Sequence, residues 1–185
     1  MKLRTNLILL FVAALTFCSC DEIDKLTEIE TSQEFEATLD VNVAVDKEAK
    51  PQAKTSAATD WSTSTSIDLK DNSDVKANLD LVESVNLTDL QYQIVDYTGA
   101  ETAAISNTTI DFGGTVITIA DTTLKTAADA GTWFTVENAA QLNAIAAKLK
   151  ADLEMTITAS GTVSDTPVDF GIKLKINTLI VIDVI

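Results

Sequence analysis

The stretch FEATLDVNVAV sets Phe35, Ala37, Leu39, Val41, Val43 and Val45 on one side of the chain and Glu36, Thr38, Asp40 and Asn42 on the other. Such a sustained period of two marks a β-strand with one buried face, because successive side chains of an extended backbone point to opposite sides. A helix would scatter the same apolar positions around its circumference. The stretch VDFGIKLKINTLIVIDVI repeats the pattern through Val168, Phe170, Ile172, Leu174 and Ile176, and from Leu179 both faces turn apolar. A strand apolar on both faces is expected inside a structure rather than at its rim.

Further strands are predicted between these two. SVNLTDLQYQIVDY alternates, with Val85 and Leu87 in one parity and Leu90, Tyr92 and Ile94 in the other, so a bulge is expected near Thr88 and Asp89. Thr109 to Phe112 and Thr115 to Ala120 flank Gly113-Gly114, a pair free to adopt positive φ in a tight turn. Ser66 to Leu69, Leu124 and TWFTV read as short strands at most, and DLEMTITASGTV leads through a turn at SDTP into the last strand. Residues 46 to 65, rich in Lys, Ala, Ser and Thr, read as a long polar loop. Two short helices are expected. One places Val75, Leu79 and Val82 behind an Asn72/Ser73 cap; the other, over residues 138 to 150, places Leu142, Ile145, Ala146 and Leu149 at helical spacing, with a capping-box pattern at Asn138 and Gln141. Long alternating strands with one or two short connecting helices predict a mainly β fold, an antiparallel β-sandwich.

The first twenty residues carry an address. A charged start (Lys2, Arg4), an apolar run from Leu7 to Phe17 and a small-residue exit have the layout of a secretory signal. The run is shorter than the roughly 20 apolar residues that span a bilayer. The two cysteines follow at once, and the segment resembles a bacterial lipoprotein processing site, in which the acylated cysteine becomes the first mature residue. Cys20 follows small Ser19 whereas Cys18 follows bulky Phe17, so Cys20 is assigned as the lipidated residue. The competing use of such a pair, a disulfide or redox site, is disfavoured by its place at the end of an apolar leader. The division expected is a signal peptide over 1–20, an acidic tether over 21–34 and a single β-sandwich domain over 35–185.

The acids Asp21, Glu22 and Asp24 resemble the export tag of Bacteroidetes lipoproteins, which implies the outer face of the outer membrane; their other reading is a solvated tether. Together with the DKLTEIE segment, the passage DVKANLDLVESVNLTDLQYQI and the late helix before a closing hairpin, they resemble small Bacteroidetes-type lipoproteins that carry no assigned activity. The resemblance implies an immunoglobulin-like sandwich and a lipid-anchored protein of the outer membrane, facing the surface or, alternatively, the periplasm. It brings no catalytic residues.

The residues themselves argue against most chemistry. The chain has no histidine, and with Cys18 removed and Cys20 lipidated no thiol remains, which excludes the usual Ser-His-Asp and Cys-His nucleophiles. A formal charge of -15 repels phosphate backbones, so nucleic acid is not an expected partner. Paired carboxylates are expected by chance among 28 acids. The run from Asp71 fails as an EF-hand, having Val75 at the fifth position and Lys76 where glycine is needed. Asp71 and Asp74 could belong to a looser cation site, although capping is their more economical use. No metal site, cofactor or enzymatic activity is expected. The remaining candidates are Trp61, set in a polar segment, and Trp133, next to Gly131 and Thr132. Either could stack on a sugar or anchor a partner, or fold back into the core. The function expected is a non-enzymatic binding or structural lipoprotein of the cell envelope, with a membrane contact through its lipid and a glycan or an envelope protein as partner. Alternatives are a carbohydrate-binding accessory protein and an adhesin or assembly subunit that pairs LIVIDVI with another sheet.

Overall fold

The computed structural model describes residues 28–44 and 58–184. Cys18, Cys20, the signal segment, Asp21 to Thr27, Val45 and residues 46–57 of the expected loop lie outside the described residues. The elements in chain order are β1 (Glu28–Val43), β2 (Thr59–Asp68), α1 (Ser73–Ala77), β3 (Val82–Thr98), β4 (Ala104–Phe112), β5 (Thr115–Ile119), β6 (Thr122–Thr123), α2 (Leu124–Ala130), β7 (Phe134–Thr135), α3 (Ala139–Asp152), β8 (Glu154–Val163) and β9 (Val168–Asp183). The strands form two antiparallel sheets, β1-β9-β3-β7 and β2-β8-β4-β5 with β6 on β4, and their inner faces share one core. The fold is mainly β and sandwich-like.

β9 organises the first sheet. It pairs with β1 residue for residue, from Glu28 opposite Asp183 to Val43 opposite Val168, and along its other edge with β3. Its inward residues Val168, Phe170, Ile172, Leu174, Ile176, Ile180 and Ile182 are all buried. With both edges taken, Leu179 to Ile182 offer no free edge for another sheet.

β1 buries Phe35, Leu39, Val41 and Val43 and exposes Glu36, Thr38, Asp40 and Asn42, as the alternation predicts. It begins at Glu28, however, seven residues before the expected start of the domain, so part of the expected tether is strand. Main-chain hydrogen bonds are blind to side-chain type, and the length of β9 supplies partners for a polar stretch. The expected bulge is present as a register shift between Leu87 and Asp89, with further shifts near Val82 and Val95. Gly113 (φ 60) and Gly114 (φ 107) turn β4 into β5, and Gly114 N donates to Asp111 Oδ1 at 2.6 Å.

Three expectations are corrected. The loop over 46–65 gives way to β2 from Thr59, a strand hidden in the sequence because its inward positions include Thr63 and Thr65 rather than apolar residues. The expected helix through Val82 is one short turn of α-helix, α1, flanked by 3₁₀ turns at Leu69–Asp71 and Leu79–Leu81; Asn78, with φ -134 and ψ 35, interrupts it. Leu124 begins a helix, α2, that closes on Gly131 in the left-handed conformation (φ 59).

The helices close one side of the sandwich. β1 and β2 meet along the opposite side, while α2 and α3 pack against β3 and α3 reaches β5. In α3, Ile145, Ala146 and Leu149 are buried, and Asn138 Oδ1 accepts from Ala140 N and Gln141 N at 3.0 and 3.3 Å. Gln141 does not complete a capping box; its Nε2 donates 2.8 Å to Val116 O and so satisfies part of the β5 edge. Because Ile172 is fully buried at the centre of β9, Ile172→Ala is expected to cost about 2–5 kcal/mol in urea unfolding, against less than about 0.5 kcal/mol for Val116→Ala on the surface.

Candidate functional site

Trp61 is not a loop residue. It lies on the inward face of β2, 7% exposed, with its indole edge-on to Phe170 at 5.3 Å between ring centroids and 88° between planes. Its cross-strand partner is Gly161. A Cβ there would fall 2.6 Å from Thr108 Oγ1 and 3.1 Å from Trp61 Cζ2, so the missing side chain makes room for the indole. A ring held in this way packs mainly into the interior between the sheets, and its small exposed remainder borders an open surface cleft with Asp60, Asn107 and Ser160. Its Nε1 has no hydrogen-bond partner among the described residues.

Trp133 stands on the other side of the question. It is half-buried beside β7 and reaches over the outer face of the first sheet, where Lys173 Nζ lies 5.9 Å from its ring centroid. Lys173 and Lys175 point outward because Ile172, Leu174 and Ile176 take the inward positions of β9. Each lysine is ion-paired across to β1, Lys173 with Glu36 at 3.2 Å and Lys175 with Glu34 at 2.6 Å. The hydrogen bond that the Lys175 ammonium donates to Glu34 raises its pKa above the ordinary lysine value. On the β3 side the neighbours in register are Gln93 beside Lys173 and Gln91 beside Lys175, and Gln91 Nε2 donates to Thr135 Oγ1 at 3.4 Å. The result is a flat face of amide, carboxylate and ammonium groups with one indole at its rim. Such a surface can hydrogen-bond a polyhydroxylated ligand while an aromatic ring covers its apolar side.

The inner side of the same edge carries a second feature that the sequence reading passed over. Phe134 follows Trp133, and in an extended chain adjacent side chains point to opposite sides. Phe134 stacks on Tyr92 at 5.2 Å with 20° between planes, and although aromatic it is 44% exposed. Behind this pair opens a pocket of about 150 Å³ between the sheets. Ile94 and Ile119 form its buried floor, and Asp121 and Thr122 stand at its rim. Asp121 Oδ1 accepts from Asn107 N at 3.3 Å. Burial raises the pKa of the Tyr92 phenol above the usual tyrosine value. The signal for this feature was present in two adjacent aromatics after a glycine; that Tyr92 and Ile119 lie nearby is a matter of topology.

The acids considered for a cation site, Asp71 and Asp74, do not serve as the expected caps; their neighbours do. Asn72 caps α1 by accepting from Asp74 N and Val75 N at 2.9 and 3.2 Å, and Asp68 caps the preceding 3₁₀ turn by accepting from Lys70 N at 2.8 Å. Asp71 and Asp74 lie in the first turns themselves. Among the described residues no three acid side chains converge to hold a metal ion.

The two tryptophans are expected to separate cleanly in acrylamide quenching, Trp133→Phe leaving a protected indole and Trp61→Phe an accessible one. Trp61→Ala is expected to lose about 3–5 kcal/mol of stability in urea unfolding. Comparison with family models, with curated proteins and with solved structures finds no match to this chain.

Proposed function

We propose that the chain is a non-enzymatic lipoprotein of the cell envelope, anchored through lipidated Cys20, with an immunoglobulin-like sandwich that serves as a binding or structural module. The reading rests on the leader that runs into LTFCSC, on a sequence without histidine, and on the polar outer face of the first sheet that bears Trp133 over Lys173. The last of these carries most of the weight for binding, because a half-buried indole beside amides and ion pairs offers an apolar surface and hydrogen-bonding groups together. The acids Asp21, Glu22 and Asp24 favour the outward face of the outer membrane over the periplasmic one. This surface makes a glycan the second, more specific reading, with Trp133 and not Trp61 as the stacking residue.

Two measurements test the proposal. Cys20→Ala is expected to abolish incorporation of a labelled fatty acid while Cys18→Ala leaves it intact; the reverse result would move the anchor. Protease added to intact cells is expected to remove the protein, and protection until the outer membrane is permeabilised would place it in the periplasm. For the glycan reading, Trp133→Ala is expected to weaken binding on a glycan array by about tenfold while leaving the unfolding midpoint nearly unchanged. No glycan signal from the intact protein would discard that reading and leave the envelope assignment standing.

A further inference from the structure

The pocket behind Phe134 lies on the opposite side of the first sheet from Trp133, and its chemistry is different. Two isoleucines, Ile94 and Ile119, make a floor that can offer only apolar contact. The wall is the Tyr92–Phe134 stack, whose faces carry the negative side of the aromatic quadrupole. The rim has one carboxylate, Asp121, and one hydroxyl, Thr122, and no lysine or arginine is among the residues that line the pocket. One Asp121 oxygen takes the Asn107 amide, and no hydrogen bond or ion pair engages the other among the described residues. The surrounding protein, at a formal charge of -15, adds a negative field.

Size narrows the ligand further. A volume of about 150 Å³ is well below that of sites that hold drug-sized molecules and matches a body of about one ring. A sugar would bring hydroxyls to every side and find an aliphatic floor, leaving several of them unpaired. An anion would meet both Asp121 and the aromatic faces with the wrong sign.

We propose that this pocket binds a compact organic ammonium, its apolar body on Ile94 and Ile119 against the Tyr92–Phe134 stack and its positive end at the Asp121 carboxylate. Phe134 is thereby held in a position that would otherwise be a poor one for an aromatic side chain, half out in water at the end of a two-residue strand. Asp121 selects charge and the stack selects shape.

The test uses the full mature chain in detergent, titrated at neutral pH with benzylammonium, benzyl alcohol and benzoate and followed by calorimetry. Benzylammonium is expected to bind best, benzyl alcohol about tenfold more weakly and benzoate not measurably. Asp121→Asn is expected to bring benzylammonium down to the level of the alcohol without affecting the alcohol itself. Phe134→Ala, at a position exposed enough to leave folding intact, is expected to weaken both by about tenfold. Equal binding of benzoate, loss of the alcohol in Asp121→Asn, or no binding of any of the three up to about 10 mM would overturn the assignment. So would concentration-dependent dimerisation abolished by Phe134→Ala without ammonium binding, since that would make a second copy of the chain the occupant. The glycan reading at Trp133 stands or falls separately, because none of these variants touches that face.

Discussion

The structure depends on one strand buried on both edges. β9 supplies hydrogen bonds to β1 on one side and to β3 on the other, and its inward residues form the floor of the core. Backbone groups in an interior must be paired or cost free energy, so a long apolar strand is stable only between two others. The one polar residue on its inward face, Thr178, is 2% exposed and donates through Oγ1 to Gln33 O at 3.1 Å, which removes the penalty it would otherwise carry. The same pairing draws Glu28 to Glu34 into the sheet although they have little apolar surface to bury.

The two sides of the sandwich are closed by different means, and the candidate sites follow from the difference. Where β1 and β2 meet, strand edges face each other and Trp61 fills the space between β2 and Phe170. On the other side, α2 and α3 cover β3 and the edge of β5. Helices cannot continue a hydrogen-bonded ladder, so the first sheet ends there in β7, a strand of only two residues. That short edge throws Trp133 to the outer face and Phe134 to the inner one. Both aromatics are therefore accessible for a single geometric reason, and each meets a different chemical neighbourhood: ion-paired lysines and amides outside, isoleucines and a carboxylate inside.

Elements with strong apolar contrast were legible in the sequence. The alternation of β1 and β9, the bulge near Thr88 and Asp89, the Gly113-Gly114 turn and the helix capped by Asn138 all depend on local patterns that survive into the structure. Elements without that contrast were not. Between Trp61 and Ile67, β2 alternates Ser with Thr, both polar, so most of its length carries no hydrophobic contrast, and pairing with β8 makes it a strand. Val75, Leu79 and Val82 have helical spacing, but Val82 is recruited to the long β3 and the helix ends early. The sequence leaves Trp61 open between the surface and the core because its neighbours there are polar; its neighbours in space, Phe170 and Gly161, come from β9 and β8 and place it in the core.

The sequence by itself determined that this chain builds antiparallel strands around an apolar central one, that it contains no histidine, and that its two cysteines, Cys18 and Cys20, directly follow an apolar run. These are properties of residue type and short-range periodicity, and no partner from elsewhere in the chain is needed to read them. Which tryptophan is buried, which edge is left short, and which side chains surround Phe134 were decided only by the tertiary structure. Such choices depend on contacts between residues far apart in the chain, where packing and the competition for backbone partners outweigh local preference.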